Sequence, residues 1–201
     1  PIGGLENSPW RFLPSLGLKG FLFYFGRNII NYWQRNFLIR PKIAAKRKDS
    51  VLIAATTENK SLVKKLWRKD CTIISEVGQE PNVSHNINKR YENEALNIVW
   101  SGQHTAGRNL PLLLKALKCV NFNFKVHVLG NGEMTSSWKI LANRLDIQKQ
   151  IIWYGWVDKS KAFEVLSTSH VSCITSIKDL TSTVTLEALS FGLPIVCLNH
   201  C

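Results

Sequence analysis

The chain has 201 residues, 45% of them hydrophobic, and carries 26 Lys and Arg against 14 Asp and Glu for a net charge of +12. That length holds one large domain or one and a half smaller ones, and that apolar content is ordinary for a protein with a real core. No uninterrupted apolar run is long enough to span a bilayer: the longest candidate, Phe12 to Trp33, is broken by Pro14, Lys19, Arg27 and glycines.

The charge is uneven. Arg11, Lys19, Arg27, Arg35, Arg40, Lys42, Lys46, Arg47 and Lys48 face only Glu6 and Asp49 in the first fifty residues. Such a field favours anionic partners, whether nucleic acid, lipid headgroups or sugar nucleotides, and equally describes a solvated basic surface. Five cysteines, at 71, 119, 173, 197 and 201, show no CxxC pair and no metal spacing. Cys173 and Cys197 lie in apolar runs and read as small core residues, and reduced thiols fit a cytosolic compartment. Asn82-Val-Ser84 matches a glycosylation triplet that is common by chance. The chain opens on Pro1 and closes on Leu198-Asn-His-Cys201 directly after a strand pattern, so a fragment cut at both ends is expected.

Along the chain, Pro1-Ile-Gly-Gly4 and Glu6-Asn-Ser-Pro9 mark a loop. Phe21 to Ile39 reads as helix, Val51 to Thr56 as strand, Lys60 to Trp67 as a short helix and Cys71 to Ser75 as strand. The aromatics Trp10, Phe12, Phe21, Phe23, Tyr24, Phe25, Trp33 and Phe37 interleave with the basic residues. Two readings stand for that stretch: docking on an anionic membrane, or a core helix pair with a basic outer face. From Gln79 to Glu94 the chain is polar, with Pro81 and several asparagines, which reads as a linker.

Beyond it, strand and helix signals alternate. Strands are expected at Leu96–Ser101, Phe124–Leu129, Ile151–Tyr154, His170–Ile174 and Ile195–Leu198, and helices at Leu110–Leu117, Ser136–Leu145, Lys159–Ser167 and Thr183–Phe191. This order predicts a parallel sheet with helices on both faces, with the loops after the strands along one ligand-binding edge. The domains expected are 1–78, a linker at 79–95, and 96–201.

The most informative segment is Asp179-Leu-Thr-Ser-Thr-Val-Thr-Leu-Glu187-Ala-Leu-Ser-Phe-Gly-Leu-Pro194. A polar loop leads into a helix that Ser182 or Thr183 can cap, and Gly192 stops it. A helix N-terminus offers unpaired N–H groups and a positive dipole end to a phosphate. Glu187, one turn further in, could take a ribose hydroxyl; Asp179, in the loop, could take a sugar hydroxyl. The alternatives are a dipole-favoured acid and an Asx-turn acid. Together the two acids suggest a nucleotide-sugar site.

This segment resembles the donor-site signature of retaining family-4 glycosyltransferases of the GT-B fold, matching at Glu187, Ala188, Gly192 and Pro194. It departs at Asp179, where the family has Glu, and at Thr181-Ser182-Thr183, where the family has a loop glycine. The resemblance implies two Rossmann-like α/β domains, here both incomplete, and transfer of a sugar from a UDP- or GDP-sugar to a glycan or lipid-linked acceptor. Glu187 would hold the ribose and Asp179 the sugar. Gln103 and Arg108, in Ser101-Gly-Gln-His-Thr-Ala-Gly-Arg108, occupy the places of the family's diphosphate-facing Arg and Lys. Ser182 and Thr183 would offer the helix end to the diphosphate, and Gly155-Trp156-Val157 resembles the loop that packs the nucleobase. Gly130-Asn-Gly132 is structural in this reading, and His104 is a polar loop residue with no assigned role.

The family implies no cofactor and no metal. The expected setting is cytoplasmic, at the inner face of a membrane that residues 10–48 could touch. The family's early glycine-rich loop and histidine find no counterpart, so the fragment alone is expected to be inactive. The rivals are a GT-B nucleotide-sugar epimerase and a basic nucleic-acid-binding protein; no nucleic-acid module is recognisable, and no nucleic-acid partner is expected.

Overall fold

The computed structural model describes residues 5–78, 95–179 and 182–199. The first loop's Pro1–Gly4, nearly all of the expected linker, the Asn82 triplet, Thr181 and Cys201 lie outside the described residues. The chain divides into two compact units, one of residues 1–78 with 179–182, the other of residues 79–178 with 183–201.

In the first unit a 3-10 helix, Trp10–Leu16, runs into helix α1, Gly17–Phe37, followed by α2, Ile39–Lys46. Leu38 breaks the two helices apart with an extended backbone, so α1 stops short of the expected Ile39 and a second helix appears that the sequence reading did not contain. Pro41 is tolerated there because it falls in the first turn of α2, where its missing N–H would be unpaired anyway. Strands β1, Ile53–Ala54, and β2, Thr72–Ile73, pair in parallel around helix α3, Thr57–Trp67. Helix α3 starts three residues earlier than expected because the Thr56 hydroxyl accepts the Asn59 N–H at 3.1 Å. Leu5, Ala45, Ala54, Val63, Trp67 and Cys71 form this unit's core.

Helix α1 corrects the reading of its aromatics as core. Its buried positions are Gly20, Asn28 and Asn31. Asn28 brackets Ser8, accepting its N–H at 2.9 Å and donating to its carbonyl at 2.8 Å. That pairing turns the polar side of α1 inward, and Leu18, Leu22, Phe23, Ile29, Ile30, Trp33 and Phe37 remain exposed. Among the described residues, no helix is long and apolar enough to cross a membrane.

The second unit is a five-stranded sheet: β3, Leu96–Ser101; β4, Phe124–Leu129; β5, Ile151–Gly155; β6, Val171–Ile174; and β7, Ile195–Cys197. Every pairing is parallel and the spatial order is β5-β4-β3-β6-β7. Helices α4, Leu110–Leu117, and α5, Thr135–Arg144, cover one face; α6, Lys159–Thr168, and α7, Thr183–Ser190, cover the other. Helix α4 buries Leu110, Leu113, Leu114 and Leu117, the i, i+3, i+4, i+7 stripe, against Ile98, Trp100, Val126 and Val128. Each such leucine contributes about 1.5–3 kcal/mol on burial. Opposite them, Val99, Leu129, Val165, Leu166, Ala188, Phe191 and Leu193 close the second layer. Cys173 is buried as expected, but Cys197 is exposed, on β7, which among the described residues is an edge strand.

The Gly-x-Pro ending has a folding role. Leu193 N–H donates to the Ala188 carbonyl at 3.0 Å and Gly192 N–H to that of Leu189 at 2.8 Å, with Gly192 at φ +64°. This is a Schellman stop, which favours glycine at its left-handed position. The Pro194 carbonyl then accepts the Ser172 N–H at 3.0 Å and sets β7 in register beside β6.

Candidate functional site

The strand order reverses between β3 and β6, the switch point beside which ligands bind in parallel α/β sheets. The loop after β3 is residues 102–109, and the segment after β6 begins at Thr175. Arg108 stands at that reversal. Its Nη1 donates to the Ser176 hydroxyl at 3.0 Å, and its carbonyl accepts from the Thr175 hydroxyl at 2.7 Å. Ile177 N–H donates to the Gly107 carbonyl at 3.0 Å. Asn109, in the left-handed conformation at φ 51°, then turns the chain into α4.

On its other side the β3 loop is clasped by the loop after β4. His104 donates its N–H to the Asn131 carbonyl at 2.9 Å and accepts from Met134 N–H at 3.0 Å. Its Nδ1 meets the Thr135 hydroxyl at 2.8 Å. A Cβ on Gly130, at φ +107°, would overlap the Gly102 carbonyl, and one on Gly132 would lie 2.6 Å from the His104 carbonyl oxygen. The two glycines are what let the backbones approach this closely.

His104 itself departs from expectation. It is 1% exposed and lies between Trp100, Trp138 and Trp153, at ring-centroid distances of 5.5, 4.9 and 6.0 Å. Burial lowers its pKa below the ordinary histidine value; the Leu129 carbonyl opposes that and the charge of Lys139 adds to it. Its Nε2 has no hydrogen-bond partner of good geometry among the described residues. The sequence held one signal for this burial, a histidine four residues after a strand tryptophan, which a polar-loop reading passes over.

The other candidate residues fall as follows. Gln103 is exposed on the same loop as Arg108, and its backbone carbonyl accepts from Thr105 N–H at 2.8 Å. Gly155, at φ +70°, ends β5, and Trp156 beyond it is 73% exposed. Thr183 opens α7 and Glu187 lies half-buried in its second turn. Among the described residues, the Glu187 carboxylate takes no hydrogen bond and no ion pair. Asp179 and Ser182 group with the first unit, so the two acids of the motif belong to different units. Among the described residues, no group of three or more His, Cys, Asp or Glu side chains is placed to hold a metal ion.

Residues 84–201 match the family profile described as "Glycosyl transferases group 1". The chain belongs to that family. A lipopolysaccharide 1,6-galactosyltransferase of Escherichia coli (strain K12) is 33% identical over 110 residues, which cover 52% of this chain and 30% of that one. An uncharacterized glycosyltransferase of Haemophilus influenzae is 32% identical over 145 residues, 68% of this chain and 39% of that one. The chain thus spans well under half the length of these curated relatives. Among solved structures, HepE of Anabaena in complex with UDP-glucose aligns at a TM-score of 0.65 with 14% identity, covering 84% of this chain and 50% of HepE. WaaG, a glycosyltransferase involved in lipopolysaccharide biosynthesis, aligns at 0.62 with 16% identity, covering 92% and 50%. At those identities the likeness is one of fold, and the fold of this group 1 chain is of the GT-B type.

Proposed function

We propose that this group 1 glycosyltransferase chain takes a sugar from a nucleotide-sugar donor, a UDP- or GDP-sugar, and passes it with retention to a glycan or lipid-linked acceptor. The observation that carries the reading is Arg108, a cation fixed at the strand-order reversal of a parallel sheet, in a chain of this family. As the bond between the sugar and the diphosphate breaks, negative charge gathers on the leaving phosphates. A pre-placed guanidinium stabilises that charge, and the N-terminus of α7 near Ser182 and Thr183 adds to it. Glu187, in α7, receives the ribose hydroxyls, and Asp179 receives those of the sugar. Gln103 donates a neutral hydrogen bond to the diphosphate. Gly155 and Trp156 border the base. The positive charge comes from the protein, so the proposed reaction uses no cofactor and no bound metal.

UDP is favoured over GDP because HepE is described in complex with UDP-glucose and TarM in complex with UDP. A lipid-linked or polysaccharide acceptor follows the lipopolysaccharide galactosyltransferase among the relatives. The proposed setting is the cytoplasmic face of a membrane. The exposed apolar arc of α1 and the basic run from Arg40 to Lys48 support contact with anionic lipid.

Calorimetric titration of UDP and GDP into the full-length protein tests the donor reading, with Glu187→Ala beside the wild type. Saturable binding of one nucleotide that the variant loses is the expected result. Absence of binding by a folded wild type overturns it.

A further inference from the structure

Thr175 occupies an unusual place. It follows β6, is 8% exposed, and its one hydroxyl serves two partners far away in sequence. Trp100, on β3 and 2% exposed, donates its indole N–H to Thr175 Oγ1 at 2.9 Å. Thr175 Oγ1 donates its own proton to the Arg108 carbonyl at 2.7 Å. A hydroxyl has one proton to give, and here it is given to Arg108. The core of β3 is thereby tied, through β6, to the far end of the loop that β3 itself launches. Ser176 and Ile177 extend the seam: the first accepts from Arg108 Nη1, the second donates to the Gly107 carbonyl. Three consecutive residues after β6 thus fix both the backbone and the guanidinium of Arg108.

We infer that Thr175 is a positioning residue for the donor diphosphate, acting through Arg108. This rests on the reading of Arg108 as the diphosphate cation given above. Thr175 sets the height of the Arg108 backbone against the buried indole, and Ser176 then holds the guanidinium. An arginine already held by Ser176 gives up less conformational freedom when the nucleotide arrives. The shape of the seam makes the hydroxyl, rather than the bulk of threonine, the operative feature. Valine would fill the same volume yet remove both bonds of the Thr175 hydroxyl, the one from the buried indole N–H and the one to the Arg108 carbonyl. Serine would keep both bonds.

The test titrates UDP, or GDP if that is the base the wild type selects, into the full-length protein, with the corresponding nucleoside as a parallel probe. The variants are Thr175→Val, Thr175→Ser, Arg108→Ala and the Thr175→Val, Arg108→Ala double. Thr175→Val is expected to weaken the nucleoside diphosphate about five- to tenfold and to leave the nucleoside unchanged, while Thr175→Ser stays near wild type. In the Arg108→Ala background, Thr175→Val is expected to cost no further diphosphate affinity, because the residue it acts through is gone. A folded Thr175→Val protein with unchanged diphosphate affinity overturns the inference. So does equal weakening of nucleotide and nucleoside, or an additive loss in the double variant; each would leave Thr175 a purely structural bond. If Thr175→Val does not fold, Thr175→Cys, with a weak S–H donor in a similar volume, carries the same comparison. A wild type that binds no nucleotide, or an Arg108→Ala variant that binds as wild type, overturns the donor-site reading itself. Weakening by Arg108→Ala but not by Thr175→Val overturns this inference alone.

Discussion

Arg108 and Ser176 meet at 3.0 Å across the point where the strand order of the sheet reverses. The bond is charge-assisted on the arginine side and its acceptor is buried, so it holds the guanidinium in one direction. Replacing Arg108 by Ala removes the proposed cation; UDP affinity should fall about 10- to 100-fold, the equivalent of roughly 1.5–3 kcal/mol for a hydrogen bond to a charged group. Ser176→Ala keeps the cation and removes one bond that orients it, and the loss should be smaller, about threefold to tenfold. Calorimetry with UDP and uridine separates the two effects from a change in base binding. Equal UDP affinity in all three proteins would place the diphosphate elsewhere.

Gly132 tests the clasp between the loops after β3 and β4. Its Cα faces the His104 carbonyl so closely that a methyl group would lie 2.6 Å from a backbone oxygen that cannot swing aside. Gly132→Ala should therefore cost about 1–3 kcal/mol of stability through overpacking, despite its small size and loop location. Urea unfolding followed by circular dichroism measures this. A variant as stable as wild type would mean that the two loops separate without penalty.

The second unit was legible almost residue by residue. Its strands carry the apolar runs of a sheet buried on both faces, its helices carry the leucine and valine stripes, and Gly130, Gly155 and Gly192 mark its turns. The ends shifted by a residue or so, as at Thr135 and Thr168, where apolar pattern says little. The first unit read less well. Strands β1 and β2 are only two residues long, and Leu38 divides what looks like one helix, because an extended residue between two helical runs leaves no compositional mark. Of the proposed site, Arg108 was singled out by its family position. The seam from Trp100 through Thr175 was not, since its members are 67 and 75 positions apart and only the fold brings them together.

Cysteine reactivity should divide along the exposure found here. Cys173 is buried in β6, and burial pushes its thiol up to about 11, so at neutral pH it carries almost no thiolate. Cys71 is buried as well, whereas Cys119 and Cys197 are exposed. Brief alkylation of the native protein followed by peptide mapping should label Cys119 and Cys197 and spare Cys71 and Cys173, which react only after denaturation. Rapid native labelling of Cys173 would show that β6 is not the inner strand described.

The last prediction concerns acid. His104 sits among three tryptophans and His127 lies half-buried between Tyr154 and Asn97, bonding at 2.9 and 3.2 Å. Burial lowers both pKa values, and the charges of Lys139 and Lys125 push in the same direction. Both rings are therefore neutral in the folded protein at pH values where an exposed histidine, near 6.5, already binds a proton. Below that value the unfolded chain takes up protons that the folded chain refuses. Stability contributed by the neutral rings is thus fully present above about pH 6.5, declines as the pH falls through the window down to the folded-state values, and is lost below them. Urea midpoints measured from pH 7.5 to pH 5 should fall on the acid side, and His104→Gln should flatten that fall by removing one of the two titrations. A midpoint that rises as the pH drops, or an acid slope unchanged in His104→Gln, would show that His104 titrates like an exposed histidine and that the tryptophan cage admits water.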